Sequence, residues 1–346
     1  MRVGLAAALG LVSAAISGPA CAQTGVVLGR VIARGTDLPL GYSVVKTASS
    51  GERFTSDAGR FTIRAPAGPL SITVKHIGYA PFDTTISVRG GDTVRVALAL
   101  SLIAIQLPAV QSLSQFCAHP GTADARLSLQ LAALFEQMIQ NAERNRLLTR
   151  SYPFEMEIER KITRPEVSLL ARFVAFDTVI QSSERKWRYE PGHMLGTRVY
   201  GPGVFEGKWT TITVPELADF ADAAFLNNHC FDYAGLDVVA GDTLLRINFT
   251  PAPTVRTTDI GGALFLDPTT YQLRWTVTTV TNPTKEMRKQ TTFQEIRVAF
   301  EEIVPGVPVA DVITSTLFPN DDGKGPSEPS TETHRTLTVR FLGPRP

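Results

Sequence analysis

Short segments in which apolar and polar residues alternate fill residues 24–100. In the segment RFTIRA, Phe61 and Ile63 alternate with arginine and threonine, and this period of two predicts a strand with one buried face. The turn sequence Asp-Ala-Gly at 57–59 precedes this strand and Pro-Ala-Gly at 66–68 follows it. Strands that recur about every ten residues with turn signals between them predict an antiparallel β-sandwich.

The pattern changes to a helical period over residues 123–150. Apolar side chains recur there at steps of three and four residues, which predicts one long amphipathic helix. The predicted apolar face consists of Leu127, Leu131, Leu134, Phe135, Met138, Ile139 and Ala142.

Longer strands follow this helix, from FEMEIERKI at 154–162 to RTLTVRFLG at 335–343. A short second helix is predicted from Pro215 onward, with Asp219 and Asp222 on its exposed face. The predicted fold is therefore mostly β, with an N-terminal antiparallel β-sandwich, one long helix and a C-terminal region of long antiparallel strands. The predicted domains are a sandwich at 24–100, a connector at 101–122 and the helix plus the long strands at 123–346.

Five short segments of the sandwich occur in an order that resembles a known module. They read GRV at 29–31, LPL at 38–40, TSDAGRF at 55–61, PAG at 66–68 and HIGY at 76–79. This succession resembles the carboxypeptidase regulatory-like domain, a small transthyretin-type β-sandwich, over most of residues 24–100. In that family the module is an accessory, and the zinc peptidases that it accompanies need a His-x-x-Glu motif. None of the five histidines is followed by a glutamate three residues later, so the resemblance implies no carboxypeptidase activity.

The C-terminal region carries a second resemblance. A helix followed by a meander of long strands, with the segment IGGALFLDPTTYQL at 260–273, is similar to the half-barrel of outer-membrane lipoprotein-sorting carriers. The likeness covers roughly residues 123–342 and implies that the domain at 123–346 is an antiparallel half-barrel with one long packed helix. The combination of both regions resembles envelope proteins of Gram-negative bacteria.

The half-barrel resemblance implies a hydrophobic groove between the helix and the concave sheet. Leu131, Phe135 and Met138 are expected to face this groove, with Phe249 and Trp275 as sheet partners. An acyl chain or a hydrophobic protein segment is the ligand that the resemblance implies.

The first 22 residues have the layout of a secretory signal peptide. Arg2 precedes an apolar run, and small residues surround a cleavage position expected after Ala22. The alternative is a lipoprotein signal in which Cys21 becomes the lipidated N-terminus. Since no later apolar run is long enough to cross a bilayer, the mature chain is expected in the periplasm or outside the cell.

The three cysteines set the candidate chemistry. If Cys21 leaves with the signal peptide, Cys117 and Cys230 form an even pair in an oxidising compartment, and a disulfide between them is predicted. A Cys2His2 metal site with His119 and His229, or a nucleophile and base at His229-Cys230, are the alternatives. With the disulfide in place, His229 is expected to be an ordinary polar neighbour.

Charge and motifs exclude other classes of function. The formal net charge is +1 and no basic stripe is present, so nucleic-acid binding is not expected. No catalytic, cofactor-binding or metal-binding residues are predicted. The leading expectation is an exported, non-enzymatic envelope protein with a binding or structural role. The second is recognition of a glycan or peptide by the sandwich, and the third is a hydrolase that uses the Cys/His pair.

Overall fold

The computed structural model describes residues 23–103, 120–121, 129–166, 171–184, 187–200, 207–320 and 328–346. The predicted signal peptide and nearly all of the predicted connector beyond residue 103 lie outside these ranges.

Seven strands form the N-terminal sandwich. Residues of one face of each strand are buried, as in the fourth strand, where Phe61, Ile63 and Ala65 alternate with exposed positions. The strands are β1 (Thr24–Ala33), β2 (Val44–Thr47), β3 (Gly51–Phe54), β4 (Arg60–Pro66), β5 (Gly68–Lys75), β6 (Phe82–Val88) and β7 (Thr93–Leu100). One sheet has the order β4-β1-β7 and the other the order β3-β2-β5-β6.

The sandwich departs from the predicted antiparallel pattern at one pair of strands. β1 and β7 are parallel, with Val27 opposite Val94 and Val31 opposite Leu98. Every other strand pair in the sandwich is antiparallel. The chain crosses to the other sheet through β5 and β6 before it returns, so β7 arrives beside β1 in the same direction.

The long helix α1 spans Leu129–Ser151. Its 23 residues make a rod of about 35 Å. The predicted residues 123–128 lie outside the described part of the chain. The helix contacts the sandwich through β3 and the C-terminal sheet through its hairpin turns, so it lies at the boundary of the two units.

Nine antiparallel strands form the C-terminal sheet, in the order β12-β13-β14-β15-β16-β17-β18-β8-β9. The half-barrel prediction is confirmed in this open antiparallel sheet with one long packed helix. The strands are β8 (Phe154–Glu166), β9 (Ala171–Ser182), β12 (His229–Val239), β13 (Asp242–Pro251), β14 (Asp259–Leu266), β15 (Leu273–Thr281), β16 (Thr291–Val304), β17 (Val307–Pro319) and β18 (Ser330–Phe341).

Smaller elements lie between these strands. A separate hairpin precedes two short helices, and a further helix connects β15 to β16. They are β10 (Leu195–Tyr200), β11 (Gly207–Ile212), a 3-10 helix (Leu217–Ala221), α2 (Ala223–Leu226) and α3 (Lys285–Gln290). No helix in the described ranges is long and apolar enough to span a membrane.

Candidate functional site

The interior of the half-barrel is an apolar cluster between α1, the two short helices and the first strands of the sheet. Phe135 and Met138 enter it from α1, and Phe249 enters it from β13. The short helices contribute Leu217, Phe220 and Phe225. The cluster therefore joins helix side chains on one side to sheet side chains on the other.

Aromatic rings dominate the contacts inside this interior. Phe135 meets Phe231 edge to face at 4.8 Å between ring centroids, and Phe220 meets Phe225 in the same way at 5.1 Å. Phe225 also meets Phe249 at 5.6 Å. Edge-to-face pairs of this kind stabilise a packed apolar interior beyond the area that they bury.

The structure separates the residues predicted to line the groove. Phe135 and Met138 are 3% and 1% exposed and share their cluster with Phe249. The side chain of Leu131 lies outside the described part of the molecule. The expectation for Trp275 is wrong, because this side chain packs with Phe265 on the opposite face of the sheet. Trp275 lies directly across from Phe265, and opposite residues of neighbouring strands share a face.

The short helices cover the interior, and their acidic residues differ from the prediction. The expected exposed helix face is wrong for Asp219, which is fully buried. Its carboxylate accepts hydrogen bonds from the backbone N–H groups of Glu216 at 2.8 Å and Tyr189 at 3.0 Å. Asp222 caps α2 through a bond from the Ala224 N–H. These aspartates are capping groups, which satisfy helix N-terminal donors.

His229 is buried at the centre of a polar cluster, so its predicted role as an ordinary polar neighbour is wrong. Its ring stacks on Phe225 at 4.0 Å, and Nδ1 lies 2.9 Å from the Phe225 carbonyl oxygen. Nε2 lies 3.2 Å from the Ile260 carbonyl oxygen and 3.5 Å from the Asp259 carboxylate. Both His229 and Asp259 are fully buried.

Tyr189 completes this cluster. Its hydroxyl donates to the Asp259 carboxylate at 2.5 Å. Burial raises the pKa of Tyr189, and the hydrogen bond to Asp259 and the negative charge of that residue raise it further. The cluster ties residues 187–190, α2, β12 and β14 together beneath the short helices. Because the His229–Asp259 pair is sealed from solvent, a substrate could reach it only if this cover opened.

The cysteine prediction is only partly within the described chain. Cys230 is disulfide-bonded, but Cys117 lies outside the described residues, so the predicted pairing of the two stays a prediction. His119, a member of the alternative metal set, lies outside them too. Within the described ranges, no group of three His, Cys, Asp or Glu side chains is placed to hold a metal ion.

A polar stripe on α1 faces the boundary between the two units and was not predicted. Gln137 accepts a hydrogen bond from the Gly78 N–H at 2.7 Å. Asn141 donates to the Tyr271 carbonyl and accepts from the Leu273 N–H, while Asn145 donates to the Pro308 carbonyl. The spacing of four residues from Gln137 to Asn141 to Asn145 places these amides on one side of a helix, which is the signal that the sequence offered.

Arg144 lies beside this stripe and is 2% exposed. Its Nε donates to the Gly306 carbonyl at 2.8 Å, and its guanidinium lies over the Phe54 ring at 5.6 Å. Burial lowers the pKa of Arg144 to about 10, against the opposing charge of Glu302, so it stays cationic at neutral pH. A Cβ on Gly306 would lie 2.8 Å from Arg144 Nη2, and the φ of Gly306 is +70°, so this turn needs glycine.

Two cavities adjoin α1 where it meets the sandwich. The first is an open cavity of about 480 Å³ near the end of the helix, and Arg53, Phe54 and Tyr152 are among its lining residues. The second has a volume of about 50 Å³ and is lined by Gln140 and Arg144 of α1 and by lysines of the sandwich.

Comparisons with known proteins do not establish a family for this chain. No family model matches the sequence, and no curated protein matches it. The regulatory-like resemblance of the sandwich is therefore without support from a family match.

Solved structures give distant likenesses. A LolA superfamily protein from Nitrosomonas europaea is 10% identical with a TM-score of 0.33, over 60% of this chain and 93% of that one. A candidate outer membrane lipoprotein-sorting protein domain from Vibrio parahaemolyticus is 8% identical with the same score and coverage. A minor pilin of Streptococcus agalactiae is 16% identical with a TM-score of 0.21, over 26% of this chain and 48% of the pilin. This chain thus spans about half the length of the pilin. Scores at this level do not identify a function.

Proposed function

We propose that this protein is exported and acts as a non-enzymatic binding protein of the cell envelope. In this proposal the half-barrel interior takes an acyl chain or a hydrophobic protein segment. The observation that carries it is the cover of the apolar interior, which consists of α1 and two short helices of five and four residues. Because the short helices are outside the strand ladder, they can move away without breaking the hydrogen bonds of the sheet.

The chemistry of the interior favours an apolar ligand. Phe135, Phe225 and Phe249 present rings and no charge, so a hydrocarbon chain that replaces their mutual contacts loses no hydrogen bond. The buried His229–Asp259–Tyr189 cluster lies at the edge of these rings and holds the cover closed in the absence of ligand. Binding therefore requires opening of the cover and loss of the contacts between His229 and Phe225 of α2.

A titration with a fluorescent fatty acid tests this proposal. Saturable binding that an unlabelled fatty acid displaces is the expected result. Phe231 lies at the edge of the interior and is partly buried, so Phe231→Gln should weaken binding about tenfold or more, given the hydrophobic free energy of a phenyl ring.

The matched control is Val238→Gln on the same strand, where the side chain is 65% exposed. This variant should bind as the wild type does. Absence of saturable binding, or equal weakening by both variants, would contradict binding in the interior.

The open cavity beside the sandwich supports a second candidate, recognition of a glycan or peptide. Its volume of about 480 Å³ is in the range of small-ligand sites, and it combines Tyr152 and Phe54 with Arg53. The buried Nε of Arg53 has no hydrogen-bond partner among the described atoms. A glycan and peptide array tests this candidate. If a compound that binds the wild type still binds the Tyr152→Ala variant equally well, this cavity is not its binding site.

A further inference from the structure

The 50 Å³ cavity between α1 and the sandwich contains a buried cation with incomplete partners. Arg144 donates a hydrogen bond from Nε to the Gly306 carbonyl and another from Nη2 to the Pro305 carbonyl. Its Nη1 is buried and has no hydrogen-bond partner in the described part of the structure. Within that part, no carboxylate lies in ion-pair distance of Arg144. Buried charges are stable when a counter-charge accompanies them.

A second polar atom at the same cavity lacks a partner. Gln140 is 1% exposed, and its Oε1 is buried without a hydrogen bond among the described residues. Its amide nitrogen donates to Glu136 at 3.3 Å, which fixes the orientation of the amide. A flipped amide would place two acceptor oxygens against each other. The cavity therefore offers one unused donor and one unused acceptor.

The lysines that line the cavity already have partners. Lys75 pairs with Glu143 at 3.0 Å and Lys46 pairs with Glu52 at 3.1 Å. These four residues and Arg144 all line the cavity. Glu136 also pairs with Lys75 at 3.5 Å, so both lysines have carboxylate partners. Arg144 has no ion pair within the described residues, although the charge of Glu302 acts on it from a greater distance.

We propose that this cavity binds a small oxyanion that carries a proton, of the class of hydrogencarbonate or dihydrogen phosphate. Such an ion accepts a hydrogen bond from Arg144 Nη1, donates its O–H to Gln140 Oε1 and places its negative charge against the Arg144 guanidinium. A volume of about 50 Å³ holds three to four water-sized groups, which suits an ion of four or five heavy atoms. Bound there, the ion joins the sandwich to α1.

Thermal unfolding at constant ionic strength tests the site. Replacement of chloride by phosphate or by hydrogencarbonate should raise Tm saturably, by about 4 °C near saturation. The two oxyanions, tested separately, show which of them the site prefers. Chloride cannot donate to Gln140, so an equal Tm in chloride would show general screening and would overturn the proposal.

Substitution of Gln140 separates the site from the stability of the fold. Gln140→Leu removes the acceptor and keeps Arg144, so it should abolish the advantage of the oxyanions over chloride. Arg340→Gln is the control, because this side chain is 75% exposed on β18. A crystal structure in phosphate should place the ion within hydrogen-bond distance of Arg144 Nη1 and Gln140 Oε1. Ordered water alone at that position would overturn the assignment.

Discussion

At the scale of single residues, His229 is a fully buried polar group of the half-barrel. Its two ring nitrogens face carbonyl oxygens of Phe225 and Ile260, and Nε2 also faces the Asp259 carboxylate. His229 and Asp259 are both fully buried beneath the short helices. Loss of the imidazole would leave a buried carboxylate with fewer partners, and such losses are among the largest effects of single substitutions.

We therefore predict that His229→Ala lowers the free energy of unfolding by about 3 kcal/mol. Denaturant unfolding measures the change. His193→Ala is the control, since His193 is 68% exposed beside Glu190 and its removal should change stability by less than about 0.5 kcal/mol. Equal stability of His229→Ala and the wild type would show that the polar cluster does not hold the cover.

At the scale of elements, α1 has two structural roles on one rod. Its apolar residues fill the half-barrel interior, and its amides bond the turns of both units. Asn141 makes two of these bonds, to Tyr271 and Leu273, and a further bond to the Gln137 carbonyl within the helix.

Asn141→Leu should lower the free energy of unfolding by about 2 to 4 kcal/mol. The leucine leaves the buried Leu273 N–H and Tyr271 carbonyl without their partner, and each such group costs about 1 to 3 kcal/mol. Arg146→Leu on the same helix is the control, because Arg146 is exposed. A loss of similar size in both variants would point to a general effect on the helix.

His76, which directly follows β5, is expected to make the stability of the fold depend on pH. Burial lowers the pKa of His76 to about 3, and the charge of Arg144 lowers it in the same direction. The folded protein thus keeps His76 neutral, while the unfolded chain takes up the proton below about pH 6.5. Stability is fully present above pH 6.5 and is lost as pH falls towards 3, by at most about 1.4 kcal/mol per pH unit.

Unfolding of the wild type and of His76→Asn between pH 7.5 and about 4 measures this contribution. The variant should show a shallower loss of stability with falling pH. His76 is only partly buried, which reduces the effect below the upper limit. Parallel curves for the two proteins would contradict a neutral His76 in the folded state.

The sequence was sufficient to predict most of the secondary structure but not the contacts between residues distant in sequence. The period-two segments and the helical period at 123–150 were sufficient for the sandwich, the long helix and the long strands, because one-sided burial imposes those periods. The half-barrel came from the resemblance to lipoprotein-sorting carriers. Partners distant in sequence leave no local signal, and so His229 with Asp259 and Arg144 with Gly306 were missed. Trp275 was expected on the wrong face. One step from Phe265 to Leu266 on β14 faces two steps on β15, and this bulge places Trp275 on the face opposite to that of Leu273.

At the scale of the whole molecule, a covalent link between distant segments is proposed. The Gly121 N–H donates to the His229 carbonyl at 2.9 Å, so the chain four residues after Cys117 lies beside the start of β12. This proximity supports the pairing of Cys117 with Cys230. A bridge that closes a loop of more than about a hundred residues contributes at most about 4 to 5 kcal/mol in the chain-entropy model.

The double variant Cys117→Ser, Cys230→Ser should therefore have a lower Tm than the wild type. Alkylation under denaturing, non-reducing conditions is the direct measurement on protein taken from the periplasm. Neither thiol should label before reduction. If both thiols are alkylated before reduction, the disulfide is absent, and the metal-site and nucleophile hypotheses become the remaining explanations.

The proposed binding function is tested most directly by native mass spectrometry of the mature protein purified from the periplasm. We expect a fraction of molecules with the added mass of one acyl-chain ligand, retained when Val238→Gln removes an exposed apolar side chain. Phe231→Gln should reduce that fraction, because it places an amide at the edge of the half-barrel interior. A protein that carries no ligand, and that takes up none when supplied with fatty acid, would contradict the proposed function.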